Sequence, residues 1–448
     1  MMDSVPLFLL AVAGVLLVGT LGDLLFRRTG IPDAVWLIGA GCLLGPVLGT
    51  VKADQILPLS PYIAVLALVA ALFDSGIRLR FTGAGGNARR AVPLAIAGFA
   101  GSALAVAAAS MLAQSLNFLP MGWTWGHGLL LGSILGAAGS TVMVPSIVAR
   151  TDRTVADTVE LESASGEVLC VAGALALMEF MLSAQSSGQA GMSGFAGKVT
   201  WSFGTGLFCG VVAGLIWLLF LKVLRSVSQA YPVTLAVLLL LYVGVERIGG
   251  SAAFAILGVA AVLGNAPVIG RSLKLGEELK LGESVQGFQN QVAFIIRSFF
   301  FAYIGIMLGP PWSLAAVGAV LAIVLLAVRW LAVAVTPGKE RLSAPQRRML
   351  AACLPRGMTA GALALFPAIR GLAFAEVFSP VAFACVLASA LIFAVAFPLA
   401  GRNSAPAYSA FPRVDIYPSV PAPPSEPQTP NAPAPAEPEI KPGTPFHW

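Results

Sequence analysis

Residues 132–145 read Gly132-Ser133-Ile134-Leu135-Gly136-Ala137-Ala138-Gly139-Ser140-Thr141-Val142-Met143-Val144-Pro145. The stretch lies inside a long apolar run, yet three glycines and a terminal proline crowd it. A glycine in a helix interior costs about 1 kcal/mol relative to alanine and a proline about 3 kcal/mol. The residues therefore predict a helix that unwinds around Ser140 and Thr141. Backbone freed in a water-solvated loop would simply be hydrated. In an apolar setting it is tolerated only where it lines a cavity and meets an ion, a water or a side chain. The alternative for this segment alone is a small-residue face for close helix packing.

The rest of the chain decides which solvent applies. Hydrophobic residues make up 57% of the 448 residues and charged ones 11%, with a mean hydropathy of +0.86. No globular surface facing water is built from that balance, so most of the chain must face lipid. The net charge of +6 is spread over short loops and does not form the single basic patch that nucleic acid requires. The five cysteines, Cys42, Cys170, Cys209, Cys353 and Cys385, sit in apolar segments without metal-ligand spacing. The first apolar run, to Phe26, is longer than a signal-peptide core and reads as a first span.

Apolar runs broken by charges or by glycine and proline predict an all-α polytopic membrane protein of about thirteen helices. They begin near residues 5, 34, 57, 91, 125, 158, 201, 230, 250, 290, 312, 347 and 376. With the N-terminus outside, one set of loops collects Arg27, Arg28, Arg78, Arg80, Arg89, Arg90, Arg150, Arg153, Lys222, Arg225, Arg271, Lys274, Lys280, Lys339, Arg341, Arg347 and Arg348. The other set keeps only Lys52, Lys198, Arg247 and Arg370. That asymmetry implies a cytoplasmic C-terminus and an odd number of spans. Arg297, Arg329 and Arg356 escape the sorting. Each lies in or beside an apolar run, where a charge costs roughly 3 kcal/mol or more, and each needs a partner. Residues 402–448, rich in Pro, Ala and Glu, lack the apolar residues for a core and read as a disordered cytoplasmic tail.

Two halves of the chain echo each other. Gly76-Ile77-Arg78-Leu79 ends the third helix and Gly305-Ile306-Met307-Leu308 the tenth. The fifth helix is broken at Gly139-Ser140-Thr141 and the twelfth at Arg356-Gly357-Met358-Thr359. An offset of seven spans is odd, so the halves run in opposite senses, as in inverted repeats with broken helices in matching positions.

The sixth helix contains Glu162-Ser163-Ala164-Ser165-Gly166-Glu167 ahead of a clean apolar run, which places Glu167 well inside the bilayer. Intramembrane carboxylates mark ion and proton pathways. Five residues of helix separate Glu162 from Glu167, so the two face different directions and can divide the roles. Burial favours the protonated form and a nearby cation the ionised one, so a single carboxyl at Glu167 can hold either. Arg356 is expected to brace the site by pairing with Glu162 or by neutralising the ends of half-helices. Arg329 reads as an anchor or site support, and Asp74, at the end of the third helix, as a helix-end acid or a further support of the site. Glu179 and His127 read as interfacial. There is no phosphate-binding loop, no nucleophile with its base and no metal-ligand set, so neither an enzyme nor a cofactor is expected.

These residues resemble the monovalent cation/proton antiporter superfamily, nearest its bacterial sodium or potassium/proton exchangers, over nearly all of residues 1–400. The order of Thr29-Gly30-Ile31-Pro32, Leu44-Gly45-Pro46, Phe73-Asp74-Ser75-Gly76-Ile77, Gly249-Gly250-Ser251 and Leu263-Gly264-Asn265 carries the likeness. So do Gly139-Ser140-Thr141, Leu161-Glu162-Ser163 with Glu167, and Arg356-Gly357. The pattern departs where the family has Thr-Asp and Asn-Asp or Asp-Asp: here Val142 follows Thr141 and Gly166 precedes Glu167. The resemblance implies a homodimer in the bacterial inner membrane that exchanges Na+ or K+ for protons by alternating access. Glu167, Thr141 and Ser140 would hold the ion or proton, supported by Glu162, Ser163, Arg356, Arg329 and Asp74. It also implies that the two broken helices cross at mid-membrane, with a scaffold of residues 1–88 and 229–310, a transport core of 89–200 and 311–401, and a linking helix at 201–228. The alternative is a member that no longer exchanges and serves a sensing role.

Overall fold

The computed structural model describes residues 4–29, 31–79, 88–139, 153–187, 192–223, 230–272, 283–336 and 343–401. All regular structure among them is helical. In chain order the principal helices are α1 (Ser4–Thr29), α2 (Asp33–Cys42), α3 (Ser60–Arg78), α4 (Ala88–Ser115), α5 (Trp125–Ile134), α6 (Arg153–Ser187) and α7 (Met192–Val223). They continue with α8 (Ala230–Arg247), α9 (Ala252–Gly264), α10 (Glu283–Met307), α11 (Trp312–Val335), α12 (Ala344–Ala352), α13 (Met358–Leu363) and α14 (Ala375–Gly401). A helix stands at or near each expected start, with the largest offsets at α6, α7 and α10.

Among the described residues seven helices are long and apolar enough to cross a membrane, and four shorter apolar helices accompany them. The expected count of thirteen spans is not reached on length alone: short helices such as α9, with thirteen residues, and the interrupted spans all fall short. α5 stops after ten residues and α12 after nine, where a span needs about 20. Large apolar side chains such as Leu10, Leu17, Phe208, Leu240, Leu331 and Val395 stay exposed on the long helices. In water such a surface would aggregate; against lipid it is the solvated one.

Helices α4, α5 and α6 pack on one another, with α11 against α4, and α14 against α11 and α12. Elsewhere α2 lies on α1 and α10, and α9 on α7 and α3. Helix α3 also touches α6 and α13, so it borders the residues of both sets. Small residues permit these approaches. A side chain at Gly305 would sit 2.1 Å from the Ile38 carbonyl oxygen, and one at Gly210 2.2 Å from that of Ala255. Arg297 of α10 finds its partner in Asp33 of α2 at 3.0 Å, which resolves one of the three misplaced arginines.

After α5 the chain runs irregularly through buried residues 135–139, and between α12 and α13 through buried residues 353–357. The two breaks touch. The Gly139 N–H donates to the Pro355 carbonyl at 2.7 Å. A Cβ at Gly139 would lie 2.4 Å from the Gly357 Cα, and one at Gly357 2.8 Å from the Gly139 Cα. Backbone meets backbone, which only glycine allows at both positions. The proposed unwinding at Ser140 and Thr141 lies outside the described residues, as does the tail from 402.

Gly139→Ala and Gly357→Ala are each expected to destabilise the fold by roughly 1–3 kcal/mol through overpacking. Gly204→Ala on α7, where nothing lies within 4 Å, is expected to be neutral or stabilising. Thermal unfolding of the detergent-solubilised protein, followed by monodispersity, checks the contrast.

Candidate functional site

Four charged residues converge at the crossing. Glu162, Glu167, Arg329 and Arg356 are 5%, 3%, 6% and 4% exposed. At that burial each needs compensation, and the partners found differ from those expected. Arg329 of α11 holds Glu162 of α6 through both terminal nitrogens, the Nη2 contact with Oε2 being 2.7 Å. Its Nε donates at 3.2 Å to the carbonyl of Leu350, in the last turn of α12. One guanidinium thus neutralises an acid on α6 and caps the C-terminal end of a half-helix, where carbonyls are left unpaired and the dipole is negative.

The brace expected of Arg356 is therefore made by Arg329. The reason is register: Arg329 projects from an intact neighbouring helix at the level of Glu162, whereas Arg356 sits in the break itself. The backbone N–H of Arg356 donates to Ser389 Oγ at 3.0 Å, and that hydroxyl donates to the Val386 carbonyl at 3.0 Å, tying the break to α14. Among the described residues nothing accepts a hydrogen bond from the Arg356 Nε.

Glu167 keeps a different company. Ser75 of α3, fully buried, donates its hydroxyl to Glu167 Oε2. Sequence reasoning missed Ser75 and chose its neighbour Asp74, since an acid in an apolar run is the louder signal. Asp74 is a quarter exposed and engaged in its own helix, accepting from Arg78 at 3.2 Å. Arg78 reaches across to Glu160 of α6, also at 3.2 Å. Two links thus join α3 to α6, Ser75 to Glu167 and, nearer the α3 C-terminus, Arg78 to Glu160. Residues adjacent in a helix diverge by about 100°, which is why Asp74 and Ser75 part ways.

Ser163 lies one turn before Glu167 on the same face of α6. The hydroxyls of Ser163 and of Thr359, just past the second break, are buried without hydrogen-bond partners among the described residues. Ser140, Thr141 and Val142 lie outside the described residues. His127 and Glu179 are remote from the crossing: His127 packs between Trp123 and Phe374 at the start of α5. Glu179 lines a cavity of about 330 Å³ together with Leu68, Leu175, Lys198, Glu246 and Arg370. Across that cavity Arg370 faces Glu246 at 3.6 Å.

Glu167 thus accepts from the Ser75 hydroxyl on the same helix on which Glu162 pairs with Arg329, and buried carboxylates within a membrane segment commonly mark ion and proton pathways. The comparison with known proteins agrees with this. The structure of the sodium proton antiporter MjNhaP1 from Methanocaldococcus jannaschii at pH 8 matches with a TM-score of 0.65. That match spans 86% of this chain and 99% of that one at 20% sequence identity, a likeness of fold. The model of the family described as sodium/hydrogen exchanger, transmembrane, matches residues 12–400, nearly the whole of the membrane-embedded chain. The protein, a multi-pass membrane protein, belongs to the sodium/hydrogen exchanger family, whose members are transporters.

Proposed function

We propose that the protein exchanges Na+ or K+ for protons through one carboxylate, Glu167, which releases its proton when it takes the cation and the reverse. The observation that carries this reading is the division of labour on α6. Glu162 is committed to Arg329, while Glu167 is 3% exposed and held by the Ser75 hydroxyl. The Arg329 pair commits Glu162 to a structural role, and an intramembrane carboxylate that accepts from a hydroxyl is suited to a cation or a proton. Hard monovalent cations favour oxygen ligands. Ser75 and Ser163 supply hydroxyls near Glu167 and the irregular backbone at the crossing supplies carbonyls; Thr141, expected to join them, lies outside the described residues.

Alternating access fits the surroundings of the site. On α3 and α6 the large cavity reaches Leu68 and Leu175, each about two turns, or about 11 Å, from Ser75 and Glu167. In the opposite direction the Asp74–Arg78–Glu160 cluster joins α3 to α6. Transport would then open one end as it closes the other. The core of 89–200 and 311–401 would move against the scaffold of 1–88 and 229–310 in a dimer, with 201–228 as the link.

The test is cation-triggered proton movement in inside-out vesicles, with sodium, potassium and lithium added in turn. Glu167→Gln is expected to abolish the signal while the protein remains folded; full exchange in that variant would end the mechanism. Ser75→Ala removes a hydrogen bond to a charged group, worth about 1.5–3 kcal/mol, and should raise the KM for the cation by about tenfold or more. Glu162→Gln leaves Arg329 buried and unpaired. It should cost about 3–5 kcal/mol of stability, whereas Glu162→Met with Arg329→Met should cost much less, as thermal unfolding of the two variants will read.

A further inference from the structure

A second, smaller cavity lies beside the crossing. It measures about 20 Å³ and is lined by Gly166, Ala137, Ser102, Glu162, Arg329 and Arg356. That is enough for one water, which needs roughly 10–15 Å³ of such space. Its wall supplies a reason for occupancy. Arg356 is 4% exposed and its Nε is a buried donor with no hydrogen-bond partner among the described residues. An unmet buried donor is strongly disfavoured, and a guanidinium cannot shed its proton to escape the penalty. Glu162 already accepts from Arg329 with both oxygens, but a carboxylate has about four acceptor positions and retains spare ones.

We infer that this cavity is a binding site for a single structural water, which accepts a hydrogen bond from Arg356 Nε and donates one to the Glu162 carboxylate. Two guanidiniums against one carboxylate make the wall net positive, so a cation is excluded. An apolar occupant would leave the donor unmet. The water makes one network of Glu162, Arg329 and Arg356, and it gives Arg356 the acceptor that no described side chain provides. Gly166 forms part of its wall. A Cβ there would meet only Ala137, at 3.4 Å from its Cβ, which is ordinary contact. A methyl group at 166 therefore fits the protein but takes the water's space.

Gly166→Ala and Gly166→Ser, nearly equal in size, separate the hydrogen-bonding role from packing. Helix propensity alone would make both more stable than the wild type, alanine the more so. With the water in place the order inverts. Gly166→Ala should lower the thermal unfolding midpoint by ~2 °C or more, and Gly166→Ser, whose hydroxyl replaces the water, should match or exceed the wild type. A midpoint raised by alanine, with serine no better, overturns the proposal. So does a wild-type midpoint raised by chloride over gluconate and made indifferent by Gly166→Ala, which would place a halide there. Because the readout is stability, the proposal stands or falls separately from the transport reading.

Discussion

The close approach of Gly139 to Gly357 is the constraint on which the site depends. At this crossing both helices stop, and a helix that stops inside a bilayer exposes amides and carbonyls that lipid cannot satisfy. Each unpaired group must then find a partner within the protein. Gly139 donates to Pro355, Arg356 N–H to Ser389, and the end of α12 receives the Arg329 guanidinium. The crossing concentrates polar chemistry at one depth because it concentrates broken backbone there.

Charge follows the same logic. Bringing Arg329 and Glu162 together out of water repays desolvation only when geometry is good and the remaining donors are used. Arg329 meets both conditions, with two nitrogens on Glu162 and the third on a helix-end carbonyl. Glu167, five residues along the same helix, accepts from the Ser75 hydroxyl of α3. The contrast between the two glutamates is thus produced by which neighbour each reaches, since their chemistry is identical. The same distinction separates Asp74 from Ser75, the first tied to Arg78 and the second turned to Glu167.

Helix α3 occupies a particular place in this design. It packs on α9 through Gly76 and Gly264, the latter directly against the backbone of Ile77, and Asn265 donates to the Leu79 carbonyl at 2.7 Å. It therefore moves with α9 if anything does. Its other face carries Ser75 and Arg78 to α6. Any relative motion of α6 against α3 must break or remake the hydrogen bond between Ser75 and Glu167.

The sequence by itself determined the solvent, the secondary structure and the places where it fails. Composition demanded lipid, apolar runs located the helices, and Gly139 and Gly357 stand in the two irregular stretches, since each of these is a local property of side-chain volume, polarity and backbone freedom. It also singled out Glu167 and Glu162, because a carboxylate in an apolar run is conspicuous wherever it points. Which arginine belongs to which acid was decided only by tertiary structure. Arg329 and Arg356 are chemically alike, and the choice rests on helix register and on a half-helix end that no local pattern places. Ser75 likewise carries no signal in one dimension, for a serine in a membrane helix ordinarily bonds its own backbone. Only the packing of α3 against α6 turns it into a partner of Glu167.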